Sequence, residues 1–293
     1  MANKPETAPV YRRFTSVEAR IDAAAKAALA RLPQTGIAGG FVEFIVFGLK
    51  QGWACLFGGL MVGLLVLSAL FWPEDAPLAR YDFLFLSAIA IQIAMLAGKL
   101  ETWREARVIL IFHLTGTAME LFKTGAGSWN YPEAALLRLY GVPLFSGFMY
   151  AAVGSYLARV TRVFDIRLER WPNIWASVAL AAAIYINFFT HHFIIDVRYL
   201  LFAATAVMFL RTTMWFRVYL HWRRMPILLA FLLVTIFIWL AENIGTLTRT
   251  WLYPFQNAEW APLGLDKFGS WFLLMIISVV LVTLVHPPRP RHP

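Results

Sequence analysis

Long apolar runs separated by short polar segments dominate the chain from about residue 41 onward. A helix that crosses a bilayer needs about 20 mostly apolar residues, so runs of this length are typical of a polytopic membrane protein. The pattern predicts about eight transmembrane helices. They lie near residues 52–72, 81–99, 108–124, 140–159, 173–192, 197–215, 226–244 and 268–286.

The N-terminal region has a different pattern, which predicts an amphipathic helix over residues 12–32. Its apolar positions recur every three or four residues. They are Phe14, Val17, Ile21, Ala24, Ala28 and Leu32, and the other positions include Arg12, Arg13, Glu18, Arg20, Asp22, Lys26 and Arg31. A basic amphipathic helix beside a membrane segment is expected to lie on the membrane surface. A solvated helix packed on a partner is the alternative interpretation.

Composition and charge support a membrane protein and give its orientation. Of 293 residues, 60% are hydrophobic and 15% are charged, whereas soluble domains average about 25% charged residues. With the N-terminus inside, 20 of the 26 Lys and Arg residues lie on one side of the predicted spans. This asymmetry predicts that both termini are cytoplasmic. Because the basic residues lie in the loops between spans, the net charge of +9 does not indicate a nucleic-acid partner.

One motif occurs twice and predicts an internal duplication. It reads E-x3-T-x4-W-x-Y-P and begins at Glu120 and again at Glu242; Gly147 and Gly269 match at the same offset of 122 residues. An even number of spans in each unit predicts two parallel four-helix repeats. The predicted fold is therefore all-α. It comprises a cytoplasmic N-terminal region (1–40), two membrane repeats (41–160 and 161–286) and a cytoplasmic tail (287–293).

Titratable residues at one end of the predicted bundle indicate a functional site at the outer face. Glu120 and Glu242 lie in or beside apolar runs, where a carboxylate is costly and indicates function. The predicted topology brings His191, His192 and Asp196 to the same face. These five residues are the candidate catalytic residues. The candidate substrate-binding residues around them are Trp129, Tyr131, Trp251, Tyr253, Asn243 and His113.

Three interpretations of the five candidate residues remain open. The same set of carboxylates and imidazoles could bind Fe, Mn or Zn, although no motif with metal-ligand spacing is present. It could instead perform metal-free acid–base chemistry, because a carboxyl group in apolar surroundings can stay protonated near neutrality. A structural interpretation pairs Glu120 with Lys123 and Asp196 with Arg198.

Several cofactor classes are not expected from the sequence. The chain contains no GxxxxGK[ST] phosphate loop, no GxGxxG motif and no CxxCH motif. These motifs bind nucleotide phosphates, dinucleotides and covalent haem respectively. ATP, NAD and covalent haem are therefore not predicted.

Three segments carry a resemblance to known families. They read ELFKTGAGSWNYPE, INFFTHHFIIDVRY and AENIGTLTRTWLYPFQ, and from about Phe41 onward the chain resembles an uncharacterised family of bacterial integral membrane proteins. The first segment, with Tyr140-Gly141-Val142-Pro143, also resembles carotenoid hydratases and heterodimeric-type lycopene cyclases. That resemblance implies proton transfer to a polyene by membrane-embedded acidic residues. Leu144 and Phe145 depart from the Pro-Glu-Glu pattern of the cyclases.

Together these features predict a membrane-embedded enzyme in the bacterial cytoplasmic membrane. It would act on a lipidic or isoprenoid substrate by acid–base chemistry, with or without a metal. The expected partners are membrane lipids and a hydrophobic small molecule. The alternatives are a proton-coupled transporter of a small solute, since membrane carboxylates also suit proton coupling, and a non-catalytic membrane assembly protein.

Overall fold

The computed structural model describes residues 15–33, 35–73, 75–219 and 221–290 and is mostly helical. The helices are α1 (Ser16–Leu29), α2 (Gly36–Ala54), α3 (Leu56–Phe71), α4 (Arg80–Ala97), α5 (Trp103–Gly125), α6 (Ser146–Val163), α7 (Ile174–Thr190), α8 (Arg198–Phe209), α9 (Ile227–Leu247) and α10 (Leu265–Val285). The strands are β1 (Arg138–Leu139), β2 (Val142–Pro143), β3 (Arg167–Glu169), β4 (Thr213–Arg217) and β5 (Trp222–Pro226).

Within the described ranges, fewer helices meet the length and composition of a membrane span than the eight predicted. The helices α4, α9 and α10 are long and apolar enough to cross a membrane. The helices α2 and α3 meet at a bend of 70° and would together make a fourth span. The described residues therefore contain three to four candidate spans. Among the other helices, α8 has 12 residues, or about 18 Å at 1.5 Å per residue, which is shorter than the hydrocarbon core.

Two predicted spans include residues that form strands, one at its start and one at its end, so the all-α prediction is corrected to a mostly helical fold. Residues 138–143 form a β-hairpin, so α6 begins at Ser146 and not near residue 140. The strand β4 lies between β3 and β5 in an antiparallel sheet of three strands, so α8 stops at Phe209. Apolar residues such as Met214 and Phe216 continue the run into β4, and hydropathy alone does not mark this change of backbone conformation.

The core of the bundle surrounds the antiparallel pair α5 and α6. Its side chains come mainly from α3, α5, α6, α7, α9 and α10, and the most deeply buried include Phe57, Met61, Ala151 and Ile276. The chain runs along α5 towards the loop 126–132 and returns along α6. We call the end of the bundle that carries this loop the motif end, and the end that carries the three-stranded sheet the sheet end.

Buried ion pairs join α6 to α5 and to the turn just before α5 at the sheet end. The Arg159 guanidinium lies 2.9 Å from the Glu101 carboxylate, and both side chains are fully buried. Arg162 forms ion pairs with Glu105 at 2.9 Å and with Glu18 of α1. Removing one member of such a pair leaves an uncompensated buried charge. These pairs therefore fix the register of the two central helices.

The helix α1 contacts the bundle through the buried carboxylate of Glu18, and not through its predicted apolar face. Glu18, predicted to be on the polar side, is buried and accepts a hydrogen bond from the Trp53 indole at 2.8 Å. In contrast, Ile21 and Leu32 are 50% and 46% exposed. The predicted positions 12–14 lie outside the described residues.

We expect Glu101→Gln to destabilise the protein by about 3–5 kcal/mol, because Arg159 would lose the compensating charge at a fully buried site. The thermal midpoint of unfolding in detergent measures this change. Glu259→Gln is the matched control, since Glu259 is exposed at the opposite end of the bundle. Equal midpoints for the two variants would show that the buried pair does not contribute to stability.

Candidate functional site

Glu120, near the end of α5, binds the loop that follows this helix. Its Oε2 accepts hydrogen bonds from the Trp129 indole and the Tyr131 hydroxyl, both at 2.7 Å. Its Oε1 accepts a third from the Tyr150 hydroxyl of α6 at 2.8 Å. The residue is 4% exposed, so these three donors take the place of water around the carboxylate. Glu120 therefore fixes the loop against both central helices.

Glu242, at the corresponding position in α9, likewise binds the Trp and the Tyr of its own motif. Its Oε1 accepts hydrogen bonds from the Trp251 indole and the Tyr253 hydroxyl, both at 2.9 Å. The Trp251 ring lies against the backbone of Gly245, where an added Cβ would come within 2.1 Å of the ring. Lys123 occupies the equivalent position in the first motif.

The two loops meet and form one platform at the motif end. Asn130 and Leu252 form an antiparallel bridge in which each backbone N–H donates to the other carbonyl at 2.9 Å. The Tyr81 hydroxyl of α4 donates to the Thr250 carbonyl at 2.7 Å. The platform therefore rests on helices from separate parts of the chain.

A cavity of about 300 Å³ lies beside this platform. Its polar wall includes Lys123, His191, His192, Arg198, Asp266 and Lys267. Its aromatic wall includes Trp129, Tyr150, Phe188, Tyr253 and Trp271. A cavity with a few converging polar groups and apolar walls is typical of a small-molecule site.

Lys123 is the central cation of this cavity. It is 3% exposed, and its Nζ lies 2.9 Å from His192 Nε2, 3.5 Å from His191 Nε2 and 4.1 Å from the centre of the Phe188 ring. The His191 Nδ1 lies 3.0 Å from the Asn187 carbonyl, which places the ring proton on Nδ1 and leaves Nε2 to accept from Lys123. In the part of the chain that is described, no carboxylate forms an ion pair with Lys123.

The surroundings of the two histidines favour the neutral imidazole. Burial lowers the pKa of both, and the charge of Lys123 lowers it further. Asp196 is ionised: burial raises its pKa, but hydrogen bonds from Asn187 and Arg198 outweigh that effect, and the net pKa is lowered.

The cavity is therefore cationic at neutral pH. Its positive charges are Lys123, Lys267 and Arg198, and the only carboxylate among its described lining residues is Asp266. Arg198 is already paired with Asp196, which lies 2.5 Å from its Nε.

Four of the predicted site residues line the cavity: His191, His192, Trp129 and Tyr253. Glu120 and Glu242 are not among the lining residues. Each carboxylate instead accepts hydrogen bonds from a Trp indole and a Tyr hydroxyl. Tyr131 and Trp251 also serve as donors to these carboxylates.

The remaining predicted residues lie away from the cavity. Asn243 accepts a hydrogen bond from the Leu263 N–H at 2.9 Å and donates to the Trp239 carbonyl, so it fixes a loop. His113 packs on Phe148, with ring centres 4.4 Å apart.

One of the two predicted ion pairs is present. Asp196 pairs with Arg198, as the structural interpretation predicted. The pair between Glu120 and Lys123 is wrong, because each binds different partners: Glu120 binds aromatic donors, and Lys123 binds the two histidines.

The predicted metal ligands do not come together in one cluster. Across the described ranges, no group of three or more His, Cys, Asp or Glu side chains converges. Both histidine Nε2 atoms face the Lys123 ammonium, and a positive charge disfavours a second cation there. Binding of Fe, Mn or Zn stays a prediction without support from this geometry.

Sequence reasoning missed most of the groups that give the cavity its charge. It assigned Lys123 and Arg198 only to structural ion pairs, and it did not select Lys267, Tyr150 or Trp271. The rule that marks a carboxylate in an apolar run also applies to a lysine in the last turn of α5. Lys123 could have been found by that signal.

Comparisons with known proteins identify the family. Residues 43–279 match a family model described as "Protein of unknown function (DUF817)", and the chain belongs to this family. It is 41% identical over 251 residues to "Uncharacterized protein YoaT" of Bacillus subtilis (strain 168), which covers 86% of this chain and 94% of that protein. No solved structure matches. The predicted resemblance to an uncharacterised bacterial family is confirmed. Neither match is described as a carotenoid enzyme, and that resemblance stays an expectation.

We expect Glu120→Ala to lower the thermal midpoint more than Glu242→Ala. The first substitution leaves three buried donors without an acceptor and the second leaves two, at about 1–3 kcal/mol for each donor. Glu120→Gln, which keeps one accepting oxygen, is the control and should remain close to wild type. Equal losses for the two alanine variants would contradict this assignment of hydrogen bonds.

We also expect acid to destabilise the motif end. Histidines with a lowered folded-state pKa contribute stability above their unfolded value of about 6.5, and this contribution is lost as the pH falls, because the unfolded chain then binds more protons. The thermal midpoint should therefore fall between about pH 7.5 and 5. The variant His191→Gln/His192→Gln should show a flatter profile, and an unchanged profile would refute a role for the histidine pair.

Proposed function

For this member of the DUF817 family, we propose an integral membrane protein whose motif-end cavity binds an anionic group of a lipidic substrate. The observation that carries this proposal is Lys123, a buried ammonium whose close polar partners are two neutral imidazoles. Imidazole nitrogens satisfy its hydrogen bonds but provide no negative charge. Burying an unpaired charge costs several kcal/mol, and a bound carboxylate or phosphate would offset that cost.

The surroundings of Lys123 support an anionic group with an apolar portion. Lys267 lines the same cavity and adds positive charge on its polar wall, whereas the charge of Arg198 is compensated by Asp196. Trp129, Tyr253 and Trp271 offer apolar surface opposite. Such a site would distinguish its ligand from a neutral alcohol by charge and from a free inorganic anion by burial of the apolar portion.

We infer further that the chain contains two parallel repeats, α3 to α6 and α7 to α10. The antiparallel bridge supports this inference: Asn130 and Leu252 are 122 residues apart, which is also the offset of the repeated motif. Mutual pairing of equivalent residues is what a two-fold axis through the loops produces.

The same inference extends to the placement of the protein in the membrane. The distribution of Lys and Arg favours cytoplasmic termini in a bacterial inner membrane. Eight spans would then include helices that are short or carry charges, and the motif end would lie at the outer face. In this arrangement an anionic headgroup reaches the cavity from the outer leaflet.

Within this proposal, acid–base chemistry on the substrate belongs to the groups that line the cavity. Lys123, His191 and His192 are the titratable groups placed to contact a bound anion. Glu120 and Glu242 act as positioning residues, because they hold Trp129 and Tyr253 in the cavity wall. This arrangement assigns the reacting groups differently from the sequence-based prediction, in which the two glutamates were the acid and the base.

Binding of radiolabelled dodecyl phosphate to the protein in nanodiscs tests the proposal. We expect saturable binding that unlabelled dodecyl phosphate displaces and dodecanol does not. Lys123→Met should weaken binding about tenfold or more, because a charge-assisted hydrogen bond contributes about 1.5–3 kcal/mol.

Lys26→Met is the matched control, because Lys26 is an exposed lysine on α1 that pairs with Asp22. Its affinity should equal that of wild type. Equal displacement by dodecanol, or wild-type affinity in Lys123→Met, would refute an anion site at Lys123. Displacement by inorganic phosphate alone at equal concentration would show that the lipidic portion is not recognised.

A further inference from the structure

The motif-end cavity holds a second lysine whose surroundings resemble those of Lys123. Lys267, near the start of α10, lines the same cavity, and its Nζ lies 4.3 Å from the centre of the Tyr253 ring. The Nζ of Lys123 lies 4.1 Å from the centre of the Phe188 ring. Among the described residues, no carboxylate forms an ion pair with either ammonium. An aromatic face attracts a cation but carries no net charge, so each ring leaves the positive charge of its lysine in place.

The two ammonium charges act on the same part of the cavity. Burial lowers the pKa of His192, and the charges of Lys123 and Lys267 lower it further. The Nζ of Lys123 is itself 2.9 Å from His192 Nε2. A ligand that lies beside His192 therefore meets the field of both lysines.

The other charges that line the cavity do not cancel this pair. Arg198 is already compensated by Asp196. Asp266 precedes Lys267 in the chain, but it is exposed, and water screens an exposed charge much more than a buried one.

The repeated motif provides an internal comparison for the two lysines. At its offset of 122 residues, Lys123 corresponds to Gly245 and Lys267 corresponds to Phe145. Neither of these residues carries a charge. In the two proposed repeats, the lysine pair therefore has an uncharged counterpart on the opposite side of the platform.

The counterpart of the cavity is filled with apolar side chains. The buried cluster there comprises Leu65, Tyr81, Leu84, Phe145 and Trp251. Its Trp251 ring packs on Gly245, the residue that corresponds to Lys123. Close packing of this kind is the usual state of a protein interior, so the architecture of the motif end does not itself require a cavity or a lysine pair.

The lysine pair is unfavourable for the fold unless a ligand compensates it. Burial of an uncompensated cation is costly, and two cations beside one cavity repel each other. A ligand with one negative charge compensates one of the two lysines. A ligand with two negative charges compensates both.

We propose that Lys123 and Lys267 together bind one dianionic group, so that the substrate is a phosphate monoester of a lipidic alcohol. The inference rests on the proposed function, because Lys123 forms the anion site. It adds Lys267 as a second binding residue and specifies the charge of the headgroup. A phosphate monoester carries about 1.5 to 2 negative charges at pH 7 on three accepting oxygens, which can accept hydrogen bonds from both ammonium groups. A carboxylate or a phosphate diester carries a single charge.

Competition against radiolabelled dodecyl phosphate tests the charge of the headgroup. The full-length protein is held in phosphatidylcholine nanodiscs at pH 7.5, and the competitors are unlabelled dodecyl phosphate, dodecyl methyl phosphate and dodecanoate. All three carry a straight alkyl chain, so the main difference between them is the headgroup. We expect the diester and the carboxylate to require concentrations about tenfold or more above that of the monoester, because each leaves one lysine without a charged partner.

The variant Lys267→Met separates this inference from the proposed function. It should weaken binding of the monoester about tenfold and binding of the diester much less, because a monoanion pairs with Lys123 alone. The preference for the monoester should then disappear. Lys267→Arg keeps the charge and should retain the preference. The control Lys99→Met should also retain it, because Lys99 is exposed and is not among the lining residues.

Equal competition by the monoester and the diester in wild type would overturn the inference, and this result does not depend on whether Lys267→Met folds. An unchanged preference in a folded Lys267→Met variant would also overturn it. Both outcomes would leave the anion site at Lys123 intact. Loss of dodecyl phosphate binding in wild type would overturn both proposals.

Discussion

The structure depends on one repeated interaction, a buried carboxylate that collects an indole N–H and a phenol hydroxyl from the loop after its helix. A carboxylate at this depth is stable only when donors replace its hydration. Glu120 and Glu242 each meet that requirement with the Trp and Tyr of their own motif. The loops are thereby drawn over the helix ends and brought together at one bridge.

The two motifs share this arrangement, but the cavity arises where they differ. In the second motif Gly245 allows the Trp251 ring to pack on the helix backbone. In the first motif the equivalent position is Lys123, whose ammonium turns to His191 and His192. A duplication would supply a symmetric frame, and one changed residue gives that frame a cationic centre. This is the feature on which the proposed recognition of an anionic substrate rests.

At the sheet end, buried carboxylates are stabilised by ion pairs with arginines instead of hydrogen bonds from neutral donors. Arg159 and Arg162 of α6 pair with Glu101, just before α5, and with Glu105, in the first turn of α5. Because these pairs fix α5 against α6, they also fix the distance between Glu120 and Tyr150 at the other end of the same helices. The same helix pair therefore carries the stabilising ion pairs at one end and the contact between Glu120 and Tyr150 at the other.

The sequence by itself determined the mostly helical membrane character, the repeated motif and the position of Glu120 and Glu242 in apolar surroundings. These features follow from composition, from rare residues at a constant offset and from the cost of a carboxylate in apolar surroundings. The tertiary structure alone decided the partners of Glu120 and Lys123. These two residues are neighbours on α5, but their side chains contact residues from different loops. The tertiary structure also decided that Met214 lies in a strand. Hydropathy records the burial of a side chain, but pairing and backbone conformation depend on which distant segments meet.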